Sequence, residues 1–144
     1  MGTWLDRICL LALVLIIALL TATALPALRE GPLGGTALLL HMMASGALVF
    51  ALPLFALLYL SRNLRSDRSG GMQRLGFWLL ILSGIITIGS IFLCMLPIPS
   101  TDEMHELIRV HRYAGFAMVP AVVLLAIGTS RWRRIQSTRS ATPG

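Results

Sequence analysis

The chain has 144 residues, of which 56% are hydrophobic and 12% charged, and its mean hydropathy is +0.82. That charged fraction is about half the ordinary value, which excludes a soluble globular domain. The net charge of +6 rests on arginine as the sole basic residue. The arginines lie in connections between apolar runs and at the C-terminus, not on a basic face interleaved with aromatics, so no nucleic acid is expected as a partner.

Taken in chain order, the first apolar run covers 8–24, with Trp4 as an interfacial anchor. About 20 residues cross a hydrocarbon layer, so the run is read as a span. A rival reading is a cleaved signal peptide ending at Ala22-Thr23-Ala24. Residues 25–35 form a connection broken by Pro26, Pro32, Gly34 and Gly35. The second span, 36–60, has His41 as its one strongly polar residue, a kink expected at Pro53, and Tyr59 at the far interface. Residues 61–74, with four arginines, read as a cytoplasmic loop.

The third span is 75–96. Its Ser83, Thr87, Ser90 and Cys94 share one helix face and are read as a packing surface. Residues 97–104 are acidic and proline-bearing, and the fourth helix is expected to start near Ser100 or Thr101 with Asp102 and Glu103 in its first turn. That span covers 104–127, and 131–144 is a basic cytoplasmic tail, disordered at its end. Cys9 and Cys94 lie inside apolar runs and make no CxxC or CxxCH pattern, so they are read as small hydrophobes.

The fold class is therefore all-α: an integral membrane four-helix bundle over 1–130. Nine of the twelve arginines fall in the N-terminus, the middle loop and the tail. The positive-inside rule then puts both termini in the cytoplasm and the histidines on the outer side, as expected of a multi-pass protein of a bacterial inner membrane.

The chain also reads as two tandem helix pairs. Leu25-Pro26 and Leu96-Pro97 each end a span, and His41 and His111 follow those prolines by 15 and 14 residues. Each histidine has a small residue four positions on, Ser45 or Gly115, and each helix carries a deeper proline, Pro53 or Pro120. An axis along the membrane normal would bring the histidines together near the outer face. Intramembrane ionisable groups are functional by default, and no span holds a mid-membrane acid or lysine that would mark a proton relay. A structural zinc would want four ligands, which the cysteines are badly placed to complete. His41 and His111 are thus read as ligands of one haem iron. Arg112, and less directly Arg109, would neutralise propionates, and Gly115 would let the porphyrin approach the helix. Met42, Met43 and Met118 are possible substitutes for one histidine. His105 is read as a surface residue beside Glu103 and Glu106.

The stretch His111-Arg112-Tyr113-Ala114-Gly115 resembles the His-Arg-x-x-Gly ligand motif of transmembrane four-helix b-type cytochromes, both the prokaryotic cytochrome b561 kind and the halves of haem A synthases. Glu106, before the His-Arg pair, is similar to an acidic residue of the haem A synthases. The resemblance implies haem b, electron transfer, and a quinol or an outer-compartment redox protein as partner, with other membrane subunits alongside lipid. Many such cytochromes carry two histidines on one helix and hold two haems. That spacing is missing here, so one haem is expected. Two other classes stay open: a cofactor-free assembly or interaction subunit, and a haem- or quinone-modifying enzyme with Glu106 as its only candidate acid.

Overall fold

The computed structural model describes residues 4–28, 34–64 and 70–140. Arg29, Glu30, Pro32, Arg65, Asp67, Arg68 and the last four residues of the tail lie outside the described residues. Four helices make up almost all of the rest: α1 (Trp4–Ala24), α2 (Gly35–Leu64), α3 (Gly71–Met95) and α4 (Thr101–Ser140), with a single 3-10 turn at Pro26–Leu28. Each contains a stretch long and apolar enough to cross a membrane. The chain is a multi-pass membrane protein with the expected all-α four-helix fold.

The helices outrun the expected spans. By backbone, α2 and α3 take up both ends of the arginine-rich connection, and α4 continues through most of the basic tail. Nothing in the tail sequence stops a helix: arginine is a good helix former, and neither glycine nor proline occurs between Thr129 and Ser140. The start of α4 is fixed by a reciprocal cap. The Ser100 backbone N–H donates to Glu103 Oε2 at 2.7 Å, while the Glu103 N–H reaches back to Ser100 Oγ at 3.4 Å. Pro53 and Pro120 lie inside α2 and α4. Each withdraws the N–H that an uninterrupted helix would give to the residue four before it, Val49 or Phe116.

Sequential helices are neighbours, and α4 returns to α1, closing a ring in which α2 and α4 sit on a diagonal. Leu13 and Ile17 of α1, Leu48, Leu52 and Phe55 of α2, Phe77 and Leu80 of α3, and Met118 and Leu125 of α4 meet in one core. Many large apolar side chains point outward instead, as a lipid-facing surface requires. Tyr59 turns inward between the helices. It is 1% exposed, stacks on Phe55 with ring centroids 4.3 Å apart, and its hydroxyl donates to the Asp6 carbonyl. A buried phenol is tolerable because that hydrogen bond satisfies it.

The closest helix pair is α3 and α4, and two glycines make it so. A Cβ on Gly76 would lie 2.5 Å from the Leu125 backbone nitrogen, and one on Gly128 would lie 2.5 Å from that of Gln73. Backbones this close gain dispersion contacts where lipid offers no hydrophobic drive for association. This seam is at the end of the bundle away from the histidines.

Candidate functional site

His41 lies in the second turn of α2 and His111 about ten residues into α4, so each comes from one of the two diagonal helices. The α2 and α4 backbones do not approach closely, and a cavity of about 620 Å³ opens between them. It is lined by His41, Ser45, His111, Arg112 and Gly115, five of the six residues singled out from the sequence. Apart from Thr21 and Thr87 its walls are otherwise apolar, with Leu20, Leu38, Ile88, Ile91, Ile108 and Phe116 among them. Both imidazoles are half-buried, whereas Arg112 is exposed at the rim and sits 5.6 Å from the centre of the Tyr113 ring.

The hydrogen bonds define which ring nitrogen is free. His111 Nδ1 lies 2.8 Å from the Thr87 carbonyl oxygen. A carbonyl only accepts, so Nδ1 carries the proton and Nε2 keeps its lone pair. His41 Nδ1 lies 2.9 Å from Thr23 Oγ1. The Thr23 hydroxyl is also 2.9 Å from the Leu19 carbonyl and 3.0 Å from that of Leu20. If its single proton goes to one of those carbonyls, its oxygen is left to accept from His41 Nδ1–H. With neutral His41 in the same tautomer as His111, both rings present an unprotonated Nε2.

Gly115 is open in a different sense from the seam glycines. A Cβ there would meet only Thr87 Cγ2, at 4.0 Å, so helix packing does not demand the glycine. Its bare backbone borders the cavity.

The remaining candidates lie elsewhere. Arg109 pairs with Glu106 at 3.0 Å on an exposed face and does not line the cavity. His105 Nδ1–H donates to the Thr101 carbonyl, 2.8 Å away, and His105 lines a separate open hollow near Asp102 and Glu106. Met42 and Met43 are 58% and 74% exposed, while Met118 is buried and borders the cavity.

Thr23 and the Thr87 carbonyl were not singled out as site groups by sequence reasoning. Thr87 was read with Ser83, Ser90 and Cys94 as a packing face. Ser83, Thr87 and Ser90 are indeed buried, but the same face also holds His111: Ser90 Oγ donates to the Thr87 carbonyl at 2.9 Å and lies 3.4 Å from the imidazole. A backbone acceptor leaves no mark in the residue type, so only the register of α3 against α4 could reveal it.

Comparison with known proteins adds no relative: no family model, no curated protein and no solved structure matches the chain.

Among the described residues no group of three or more His, Cys, Asp or Glu is placed to hold a metal ion. The cavity thus offers two imidazole donors in an apolar shell. A bare zinc or copper ion would need more ligands than that. A metal that brings its own equatorial ligands needs two and no more. The donor set, the open flank at Gly115 and the cation at the rim are features that a planar, anionic metal-carrying group would use.

Proposed function

We propose that this protein is a membrane-embedded b-type cytochrome that carries one bis-histidine haem near the outer face and passes electrons within a quinol-linked or other respiratory redox complex. The observation that carries the reading is the pair of imidazoles, His41 and His111, brought by diagonal helices to one largely apolar cavity. Haem b, when bound, supplies one-electron chemistry between ferric and ferrous iron. His41 and His111 would hold the iron through Nε2, and two protein ligands would favour electron transfer over oxygen chemistry. Apolar walls exclude water, and Ser45 and Gly115 keep the flanks of α2 and α4 low. Arg112 offers charge to a propionate and leaves it accessible at the rim. The likeness to the cytochrome b561 kind and to haem A synthase halves supports the same reading, as does the absence of a CxxCH sequence for covalent attachment.

The arginine distribution supports a bacterial inner-membrane protein with both termini in the cytoplasm, so the partner would be a quinol in the bilayer, a redox protein of the outer compartment, or neighbouring membrane subunits.

The test is a visible spectrum of protein purified from haem-replete cells. Sharp low-spin b-type bands are expected on reduction. His41→Ala and His111→Ala should each lose them, and His105→Ala should retain them. A colourless wild type would discard the cytochrome in favour of an assembly subunit that binds no cofactor. An unchanged spectrum in His41→Ala would refute the two-histidine site.

A further inference from the structure

The two site histidines are held by acceptors of different kinds. On α4, His111 donates to a backbone carbonyl whose position is locked by the α3 helix, and Ser90 donates to the same oxygen. On α2, His41 Nδ1 lies 2.9 Å from a side-chain hydroxyl, that of Thr23, at the C-terminal end of α1. That hydroxyl is itself polarised by the Leu19 and Leu20 carbonyls, and Thr23 is buried. Each helix pair thus supplies one histidine together with the group that orients it.

We propose that Thr23 and the Thr87 carbonyl are positioning groups that fix both imidazoles in the Nδ1–H form, and that the Thr23 hydroxyl sets how strongly His41 donates to whatever occupies the cavity. An acceptor on Nδ1–H fixes the tautomer and ring orientation and raises the basicity of Nε2. A hydroxyl that gives its own proton away accepts better than a free one, because each bond polarises the next. The part about tautomers stands on the hydrogen bonds alone; the part about ligand strength rests on the haem reading above.

The sign of the effect on a haem follows. A more basic axial ligand stabilises the more positive ferric iron and lowers the potential. Thr23→Val keeps the shape of the side chain and removes the acceptor, so it should raise the potential and weaken haem binding by about 10–100-fold, the usual consequence of losing a partner of a metal-ligating histidine. Thr23→Ser restores a hydroxyl and should restore both. A purely structural role for Thr23 would move neither the tautomer nor the potential.

The experiment uses the full chain in lipid nanodiscs with 15N-labelled histidine, first without added haem. The nitrogen shifts of His41 and His111 should both report a protonated Nδ1 and an unprotonated Nε2. In Thr23→Val the His41 signals should move toward a tautomer mixture with His111 unchanged, and Thr23→Ser should return them. The same proteins are then titrated with haem b and their midpoint potentials recorded. A protonated Nε2 on His41 in the wild type, or an unaltered His41 in Thr23→Val, overturns the proposal. The wild-type measurement decides even if Thr23→Val fails to fold. Wild type that shows the expected tautomers yet takes up no haem overturns the cytochrome reading and leaves the tautomer assignment standing.

Discussion

At the scale of single residues, His111 shows how little a side chain reveals about its own chemistry. Its neighbours in sequence, Arg112 and Gly115, marked it, but its free nitrogen is decided by a carbonyl 24 positions away in the chain. Gly115 can be tested at the same scale. Because a Cβ there meets nothing closer than 4.0 Å, Gly115→Ala should fold and should gain up to about 1 kcal/mol from the higher helix propensity of alanine. Gly115→Leu should also fold, yet its side chain would enter the space bordering the cavity and block haem uptake. Thermal unfolding and a haem titration on the two variants separate these effects. Equal haem affinity in wild type and Gly115→Leu would show that the bare flank has no role in binding. Arg109 carries the opposite lesson: a cation three residues before Arg112 on the same helix is turned to the exposed face, where Glu106 takes it.

At the scale of elements, the two helix pairs are similar in plan and unequal in reach. Both supply a histidine from the second helix and its acceptor from the first. Eight residues of α3 follow Thr87, however, whereas one residue of α1 follows Thr23. At a rise of 1.5 Å per residue, α3 runs about 10 Å further beyond its histidine than α1 does. The α3–α4 hairpin therefore carries Asp102, Glu103, His105, Glu106 and Arg109 on its extension. This explains why matching distances from the two prolines were an imperfect guide: the distance that matters is from histidine to acceptor. The opposite end of that hairpin is pinned by Gly76 and Gly128. Gly76→Val or Gly128→Val would drive a side chain into backbone and should destabilise the bundle by about 1–3 kcal/mol or disrupt the α3–α4 pair. Gly46→Ala, where a Cβ meets nothing within 4 Å, is the control expected to leave stability unharmed. A melting shift as small in Gly76→Val as in Gly46→Ala would contradict the close seam.

At the scale of the molecule, the bundle has a packed half and an open half. Phe55, Tyr59, Phe77 and Leu125 close the half around the glycine seam. The half with the histidines stays open because its diagonal helices are kept apart. Orientation in the bilayer is predicted from charge. With nine of twelve arginines in the N-terminus, middle loop and tail, a reporter after Gly144 should be cytoplasmic and one inserted near Gly34 external. An external C-terminal reporter would reverse the proposed orientation. The first helix belongs to the same prediction. It buries Leu13 and Ile17 in the core and supplies Thr23, so mass spectrometry of the purified protein should find α1 retained. Cleavage after Ala24 would remove the acceptor of His41 along with the helix.

The sequence by itself determined the membrane class, the number of spans, the start of α4 and five of the residues that line the cavity, because each depends on local quantities: hydropathy summed over a helix length, a capping pattern, or spacing along one helix face. It did not determine that α2 and α4 lie on a diagonal, that Tyr59 turns inward, that Arg109 turns away, or that Thr23 and Thr87 hold the imidazoles. Those depend on how far helices rotate and slide against each other. Apolar side chains permit many such registers at similar energy in lipid, and the choice among them falls to close backbone contacts and buried hydrogen bonds, which exist only once the helices are packed.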